Sequence, residues 1–168
     1  MAGLTIRSAE TGDLERIFEI YNHEVLHGTS TFDTEPRTLD RDADWLRSRD
    51  ASRHPVLVAV LEDQVIGWAS LSPWSDRGAY ARTAEASVYL DKAHRGHGYG
   101  TQLLARLIVR AREAGLRVLI ARIAEANAHS VGLFARQGFK RTGTQRRVGE
   151  KLGHVLDVEL MDLQLNGD

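Results

Sequence analysis

The feature that most constrains this chain is a glycine-rich turn between an apolar strand pattern and an amphipathic helix pattern. The turn reads Arg95-Gly96-His97-Gly98-Tyr99-Gly100, and the strand before it ends in Val88-Tyr89-Leu90. Glycines at alternate positions remove the Cβ atoms that would block an anion, and they permit positive-φ turns that direct successive N–H groups inward. The start of the next helix adds unpaired N–H donors and the positive end of the helix dipole. The pattern predicts a diphosphate site; the alternative is a tight strand-to-helix turn that simply requires glycine.

The spacing of these glycines fails the two best-known nucleotide patterns. Walker A requires Lys and then Ser or Thr after its last glycine, whereas Gly100 is followed by Thr101-Gln102. The dinucleotide pattern G-x-G-x-x-G requires a sixth-position glycine, where this chain has Thr101 or Leu103. The sequence therefore predicts a diphosphate other than a P-loop nucleotide or a dinucleotide.

The order of hydrophobic patterns predicts one mixed α/β domain over residues 1–168. Helical spacing of apolar residues occurs in four segments, at 12–27, 39–48, 101–114 and 128–137, and Thr11 is predicted to cap the first. Alternating or β-rich runs occur at 4–7, 56–61, 65–69, 85–90 and 118–124, and two more fall within 139–165. This order predicts a sheet that is covered by helices on both faces.

Composition narrows the function classes. The chain has 22 basic and 23 acidic residues, so it has no bulk electrostatic attraction for nucleic acid or an anionic membrane. It has no cysteine, which excludes a cysteine nucleophile and a thiolate zinc site. No apolar run approaches the roughly 18 residues that a membrane helix needs. We expect a soluble, cytoplasmic protein that binds neither nucleic acid nor membrane.

Several short segments, in this order and at these spacings, resemble one enzyme superfamily. They are Tyr21-Asn22, Thr31-Phe32-Asp33-Thr34-Glu35-Pro36, Ser72-Pro73-Trp74, Ala79-Tyr80, Glu85-Ala86-Ser87-Val88-Tyr89-Leu90, Asn127 with Ser130, Gly138-Phe139, and Gly149-Glu150-Lys151 through Asp157-Val158. With the glycine turn, they resemble the GNAT superfamily of N-acetyltransferases, most closely the phosphinothricin and methionine sulfoximine acetyltransferases. The resemblance implies the GNAT fold, an α/β fold whose mixed central sheet is splayed between its fourth and fifth strands. It also implies acetyl-CoA as cosubstrate, no metal, and a homodimer.

The resemblance also implies which residues bind the cofactor. The pyrophosphate is expected at the turn formed by Arg95, Gly96, His97, Gly98, Tyr99 and Gly100. The pantetheine amides are expected to pair with the strand backbone at Val88, Tyr89 and Leu90, with Asn127 contacting the arm and Ser130 nearby. From the residues alone, the alternatives are that Asn127 caps a short helix and that Ser130 is a surface residue.

Glu85 is the candidate catalytic residue. A substrate ammonium has a pKa near 10 and must lose a proton before its nitrogen can attack. A carboxylate at a strand end beside the thioester can take that proton directly or through water, whereas a solvated edge-strand Glu is the alternative. One departure from the family stands at Phe134, where many members have Tyr and the phosphinothricin enzymes have His. The proton for the leaving thiolate then comes from water, or the thiolate leaves unassisted.

Substrate recognition is predicted in loops that flank the strand of Glu85. The candidates are Phe32, Trp74, Arg77 and Tyr80. Arg77 is predicted to fork onto a substrate carboxylate, and Arg82 is its rival for that role. The alternative is that the aromatic residues plug the loops and Arg77 is a solvated charge.

A different motif occurs at His23-Glu24-Val25-Leu26-His27, which matches the H-E-x-x-H pattern of zinc proteases. The helix pattern ends at once at Gly28, and such enzymes need a third ligand and a groove-forming domain. We therefore predict no metal site here.

Three functions remain open. The first is transfer of acetyl from acetyl-CoA to the α-amine of a small amino-acid-like substrate such as phosphinothricin, methionine sulfoximine or methionine sulfone. The second is acetylation of protein N-termini or antibiotic amines, and a peptide would need an open groove. The third is an acyl-CoA-binding module without catalysis.

Overall fold

The centre of the structure, a computed structural model that describes residues 3–124 and 127–165, is a seven-stranded mixed sheet. Its strands are β1 (Thr5–Ser8), β2 (Val56–Leu61), β3 (Gln64–Pro73), β4 (Thr83–Leu90), β5 (Val118–Ala124), β6 (Lys140–Lys151) and β7 (His154–Gln164). The helices are α1 (Leu14–His27), α2 (Leu39–Asp42), α3 (Tyr99–Glu113) and α4 (Ala128–Arg136). The predicted order of helices and strands is confirmed.

Strand pairing opens the sheet at one place. The spatial order is β1-β2-β3-β4-β5-β7-β6, and among the strand pairs of the described residues only β4–β5 is parallel. That pair holds three residue matches, from Thr83↔Val118 to Glu85↔Ile120, although β4 continues to Leu90 and β5 to Ala124. The two strands therefore diverge beyond Glu85, which confirms the predicted splay between the fourth and fifth strands.

Helices cover both faces of the sheet, as predicted. Period-two alternation in β2 sends Val56 and Val58 to one face and Leu57 and Ala59 to the other. The first face packs against α1 through its buried apolar stripe of Leu14, Ile17, Phe18, Tyr21 and Val25. The second packs against α3 through Leu103, Leu104, Leu107, Ile108 and Ala111.

Two local predictions are wrong. The segment 39–48 is helical only over Leu39–Asp42 and continues as turns, because the side chains of Trp45 and Arg49 are held by the sheet rather than by a helix face. Thr11 does not cap α1: a short 3₁₀ turn precedes the helix, where the Asp13 carboxylate accepts a hydrogen bond from the Glu10 N–H at 2.7 Å and binds Arg7. In the described residues, no helix is long and apolar enough to cross a membrane.

Candidate active site

Two cavities flank β4 where the sheet splays, and they meet at Ser30 and Tyr89, which line both. The Glu85 cavity has a volume of about 630 Å³. The glycine-turn cavity has a volume of about 570 Å³ and contains the turn that precedes α3. The two cavities are therefore adjacent, and these two side chains form part of the wall of each.

The glycine-turn cavity is shaped by backbone. Gly96 and Gly98 have φ angles of 82° and 81°, in the left-handed region that glycine adopts without strain. A Cβ atom added at either position would meet no protein atom within 4 Å, so both positions face open space. Gly98 is the N-cap of α3, whose first N–H groups lack helical partners and suit an anion. The geometry is that of an anion-binding turn.

Gly100 has a different role. It is buried, and a Cβ added there would lie 3.1 Å from Leu90 Cδ1 and 3.5 Å from Leu133 Cδ2. The absence of a side chain at Gly100 lets the first turn of α3 pack closely against the end of β4 and against α4.

Most of the predicted cofactor residues line this cavity. They are Val88, Tyr89, Leu90, Arg95, Gly96, Gly98, Gly100, Asn127 and Ser130. His97 and Tyr99 lie outside this lining and stack on each other, with ring centroids 5.7 Å apart. The prediction missed six lining residues, Glu24, Ser30, Thr101, His129, Leu133 and Arg136. Residues 129, 133 and 136 follow helical spacing, so the periodicity of α4 contained a signal for them.

Arg95 is held by protein groups. Its guanidinium donates to Glu24 Oε1 at 2.7 Å and to the carbonyl oxygen of Leu90 at 3.1 Å. Burial acts to raise the pKa of the Glu24 carboxyl, but hydrogen bonds from Arg95 and Ser30 outweigh it and hold that pKa below its usual value. The pair ties the glycine turn to α1.

Asn127 caps α4 and also lines the glycine-turn cavity. Its side-chain oxygen accepts a hydrogen bond from the Ser130 N–H at 3.1 Å and caps α4. Its amide nitrogen donates to Ser30 Oγ at 2.9 Å, at the junction of the two cavities. The cap therefore positions a side chain that lines the glycine-turn cavity.

In the other cavity, Glu85 is paired with Arg122. Arg122 Nε lies 3.0 Å from Oε1 and Nη2 lies 2.6 Å from Oε2, so the pairing is bidentate. Arg122 lies on β5, two residues beyond the last β4–β5 match, and its guanidinium lies 5.5 Å from the centre of the Trp74 ring. The hydrogen bond to Glu85 raises the pKa of Arg122. Glu85 is thus half-buried in the cavity with a fixed orientation.

The predicted substrate residues are spread unevenly. Phe32 lines the Glu85 cavity, and its ring packs where a Cβ at Gly149 would be. Trp74 lies behind Arg122. Arg77 and Tyr80 are exposed in the loop between β3 and β4, outside the residues that line the cavity. The rival Arg82 donates to the Gly115 carbonyl at 2.8 Å. The structure thus brings Phe32 to Glu85 but not Arg77.

Sequence reasoning missed an aromatic and cationic wall of the Glu85 cavity. Trp68 stacks on Tyr89 with centroids 4.8 Å apart, and Tyr21 and Trp45 contact this pair edge-on. Burial and the hydrogen bond to Asp33 raise the pKa of Tyr21 to about 12. Two further arginines, Arg37 and Arg49, also line the cavity. These residues come from α1, β3, β4 and the segment between α1 and β2, so no spacing in the sequence groups them.

Comparison with known proteins agrees with this geometry. Residues 14–139 match the acetyltransferase (GNAT) family, which is most of the chain. The chain belongs to the GNAT family.

Relatives of this GNAT protein cover nearly its whole length. It is 39% identical to the L-methionine sulfoximine/L-methionine sulfone acetyltransferase of Salmonella typhimurium over 97% of this chain and 95% of that one. It is 35% identical to the phosphinothricin N-acetyltransferase of Streptomyces coelicolor, covering 94% of each. A solved Salmonella typhimurium structure with its cofactor acetyl-CoA matches with a TM-score of 0.95 and 38% identity, over 99% of this chain and 96% of that one.

In this GNAT protein Phe134 is a core residue. It is 5% exposed and packs edge-on against Phe139, with centroids 4.9 Å apart. A phenyl ring in the core has no proton to give, so position 134 supplies no acid.

The H-E-x-x-H segment is divided between two sides of α1. His23 and His27 are exposed with ring centroids 5.2 Å apart, whereas the Glu24 carboxylate is buried and bound to Arg95. Glu24 therefore supports the glycine turn and does not share a site with the two imidazoles.

Proposed function

We propose that this GNAT protein transfers acetyl from acetyl-CoA to the α-amine of a small amino-acid-like substrate, of the phosphinothricin, methionine sulfoximine or methionine sulfone type. The observation that carries the proposal is the contact of the two cavities at Ser30 and Tyr89, with Glu85 in one and the glycine turn in the other. The names of the relatives support the substrate class.

The glycine-turn cavity fits coenzyme A. Backbone N–H groups at the start of α3 suit its pyrophosphate, and His129 and Arg136 add polar or cationic groups from α4. Beyond Glu85, β4 and β5 are not paired with each other, which supports pairing of the pantetheine amides with the backbone of Val88 and Leu90; the Leu90 carbonyl also accepts a hydrogen bond from Arg95. Arg95, His97, Tyr99, Asn127 and Ser130 complete the proposed cofactor set. When bound, acetyl-CoA supplies the acetyl thioester.

Glu85 is the proposed base. Arg122 fixes the orientation of the carboxylate, and the carboxylate takes a proton from the substrate ammonium directly or through water. The freed nitrogen pair forms the new bond to the acetyl carbon, the carbon–sulfur bond breaks to release coenzyme A as thiolate, and the nitrogen gives its second proton to water to leave the neutral amide. Because position 134 supplies no acid, water protonates the thiolate or it leaves unassisted; a thiol pKa near 8.5 makes this feasible.

The Glu85 cavity supplies the proposed selectivity for substrate. Its aromatic side chains suit an aliphatic or thioether-like stem, and Phe32 closes one side. Trp74, Arg77 and Tyr80, the other predicted substrate residues, lie outside the cavity lining and would contact substrate only if their loop approached it. A pocket of this kind suits a small molecule better than the open groove that a protein N-terminus needs.

We further propose a homodimer located in the cytoplasm, where acetyl-CoA is available. Apolar side chains on the β6–β7 hairpin support the dimer, since Val148, Leu152 and Val155 are about half exposed. Sedimentation over a range of protein concentrations measures the assembly state, and a monomer throughout would contradict the dimer.

An amine screen with acetyl-CoA, read as release of free thiol, tests the proposed function. It includes phosphinothricin, methionine sulfoximine, methionine sulfone, simple alkylamines, aminoglycosides and a peptide with a free N-terminus. We expect turnover with the first three. Turnover only with the peptide or aminoglycosides would favour the second function. Tight coenzyme A binding without thiol release from any amine would favour a non-catalytic binding module.

A further inference from the structure

Arg49 stands out among the cationic side chains of the Glu85 cavity. Its guanidinium bonds to neutral acceptors: the Leu71 carbonyl, Ser72 Oγ at 3.1 Å and the His54 carbonyl at 3.4 Å. It also lies 5.1 Å from the centre of the Trp45 ring. These contacts hold the guanidinium in a fixed, half-buried position on the cavity wall.

The three arginines of this cavity differ in their charge partners. Arg122 is bound by Glu85 at 2.6 Å, and Arg37 lies 4.0 Å from Asp33. For Arg49, no carboxylate within residues 3–124 and 127–165 comes within 4.0 Å. Burial and repulsion from Arg37 lower the pKa of Arg49. The cavity therefore holds a positive charge that a bound anion would stabilise.

The position of Arg49 relative to Glu85 is set by the sheet. Ser72, which accepts a hydrogen bond from Arg49, is the cross-strand partner of Glu85 in the β3–β4 register. Side chains of paired antiparallel residues project from the same face, with Cβ atoms about 5 Å apart. Arg49 therefore bonds to the residue directly opposite Glu85, on the same face of the sheet, and both side chains line the cavity. The amine and carboxylate of an α-amino acid share one carbon, so their receptors must lie side by side in this way.

We propose that Arg49 binds the substrate carboxylate while Glu85 faces the α-amine, so that Arg49 makes the site selective for α-amino acids over simple amines. This inference rests on the proposed function and names the residue that reads the substrate class. The competing explanation is structural: Arg49 ties the segment that follows α2 to the end of β3 through the Leu71 carbonyl and Ser72 Oγ, and it bonds to the His54 carbonyl within its own segment.

A matched pair of substrates separates the two explanations. Methionine sulfone and 3-(methylsulfonyl)propylamine differ by the carboxylate alone. In Arg49→Ala we expect the KM for methionine sulfone to rise about 10- to 150-fold, since a charge-assisted pair is lost. The KM for the amine should stay within about twofold of the wild-type value, because the amine has no carboxylate and so makes no contact that this substitution removes. Arg49→Lys keeps the charge without the planar fork and should fall between wild type and Arg49→Ala.

Arg47→Ala is the control, since Arg47 belongs to the same segment, is exposed and pairs with Asp44. It should leave both KM values unchanged. Equal losses for the two substrates in Arg49→Ala, or no loss for either, would overturn the inference. If Arg49→Ala does not fold, the same comparison in Arg49→Lys decides.

Calorimetric binding of the two compounds to the coenzyme A complex separates this inference from the proposed function. Wild type should bind methionine sulfone more tightly than the amine, and Arg49→Ala should remove the difference. That result would support Arg49 as the carboxylate receptor even if no acetyl transfer were detected, in which case only the proposed function would fail. Equal binding of both compounds by wild type would overturn the inference whatever the turnover.

Discussion

The two cavities that meet at Ser30 and Tyr89 differ in the groups that interact with a charged ligand. In the glycine-turn cavity the anion-binding groups are backbone N–H donors at the start of α3, in one continuous stretch of chain. In the Glu85 cavity the charged groups are side chains, and Arg49, Glu85 and Arg122 come from three separate segments. The first site should therefore tolerate side-chain replacement but not a change of backbone conformation. Binding and turnover at the second site should be sensitive to replacement of a single side chain.

The largest expected loss is that of Glu85→Gln. The amide cannot take a proton from the substrate ammonium, so turnover should fall by about 10²–10⁴-fold. Thiol release with methionine sulfone measures the effect, and stabilisation by coenzyme A should be unchanged because Glu85 lies outside the glycine-turn cavity. The loss should shrink as the pH approaches the pKa of the substrate α-amine, because less deprotonation is then needed. Wild-type turnover of the variant at neutral pH would show that Glu85 is not the base.

On the cofactor side, Gly98→Val should abolish the rise in melting temperature that coenzyme A causes in wild type. A β-branched residue is strained at a φ of 81° and places its side chain in the open space of the cavity. Gly12→Ala is the matched control, because a Cβ there meets no atom within 4 Å and φ is not in the strained range. Binding of coenzyme A by Gly98→Val as in wild type would contradict the backbone site. Equal stabilisation of wild type by ATP or NAD would contradict the cofactor.

A smaller effect is expected for the ion pair that ties the glycine turn to α1. The pKa of Glu24 is lowered in the folded state, so its stabilisation is complete above the usual carboxyl range and is lost as the pH falls through the folded-state pKa. Glu24→Gln should lower the free energy of unfolding by about 1–3 kcal/mol at pH 7. Chemical denaturation at several pH values should show the difference from wild type narrowing in acid.

The exposed Glu15 on the same helix provides the comparison for Glu24. Glu15→Gln should change stability little at any pH, because surface charges contribute little. A Glu24→Gln deficit that is the same at pH 4 as at pH 7 would show that the ion pair is not its cause.

The smallest effect is expected for Arg77→Ala. Sequence reasoning assigns the substrate carboxylate to Arg77, which predicts a KM increase of about 10- to 150-fold for amino acids alone. The structure leaves Arg77 exposed outside the cavity lining, and an exposed charge of this kind should change KM by less than about threefold. The matched pair of methionine sulfone and its amine measures the difference. A large, carboxylate-dependent effect would show that the β3–β4 loop closes over Glu85 and that Arg77 binds the carboxylate. A large, equal loss for both substrates would show that Arg77 supports the loop, and Arg82 would be tested next.

The same contrast explains what could be predicted from the sequence. The glycine turn and the apolar stripes of α1 and α3 depend on residues that are near one another in the chain, so local patterns contain them. The splay of β4 and the role of Glu85 were predicted from the resemblance to the GNAT superfamily and not from a local pattern. The lining residues on α4, at positions 129, 133 and 136, follow helical spacing and could have been predicted from it.

The remainder depends on tertiary contacts. Arg49 joins the site because the chain leaves the helical conformation after Asp42, against the local pattern of 39–48. Arg122 reaches Glu85 only because β4 and β5 pair in parallel up to Ile120. Glu24 looked like part of a metal motif, and its partner Arg95 lies 71 residues away. Contacts between residues so far apart in the chain produce no recognisable pattern in the sequence.

The central claim is that acetyl-CoA and the amine occupy adjacent cavities at the same time and that acetyl passes directly between them. Initial rates with acetyl-CoA and methionine sulfone both varied, together with the mass of the protein after acetyl-CoA alone, test it most directly. Direct transfer predicts intersecting double-reciprocal lines, an unmodified protein mass and no thiol release until the amine is added. Parallel lines with an acetylated protein would indicate a covalent intermediate and would contradict the claim.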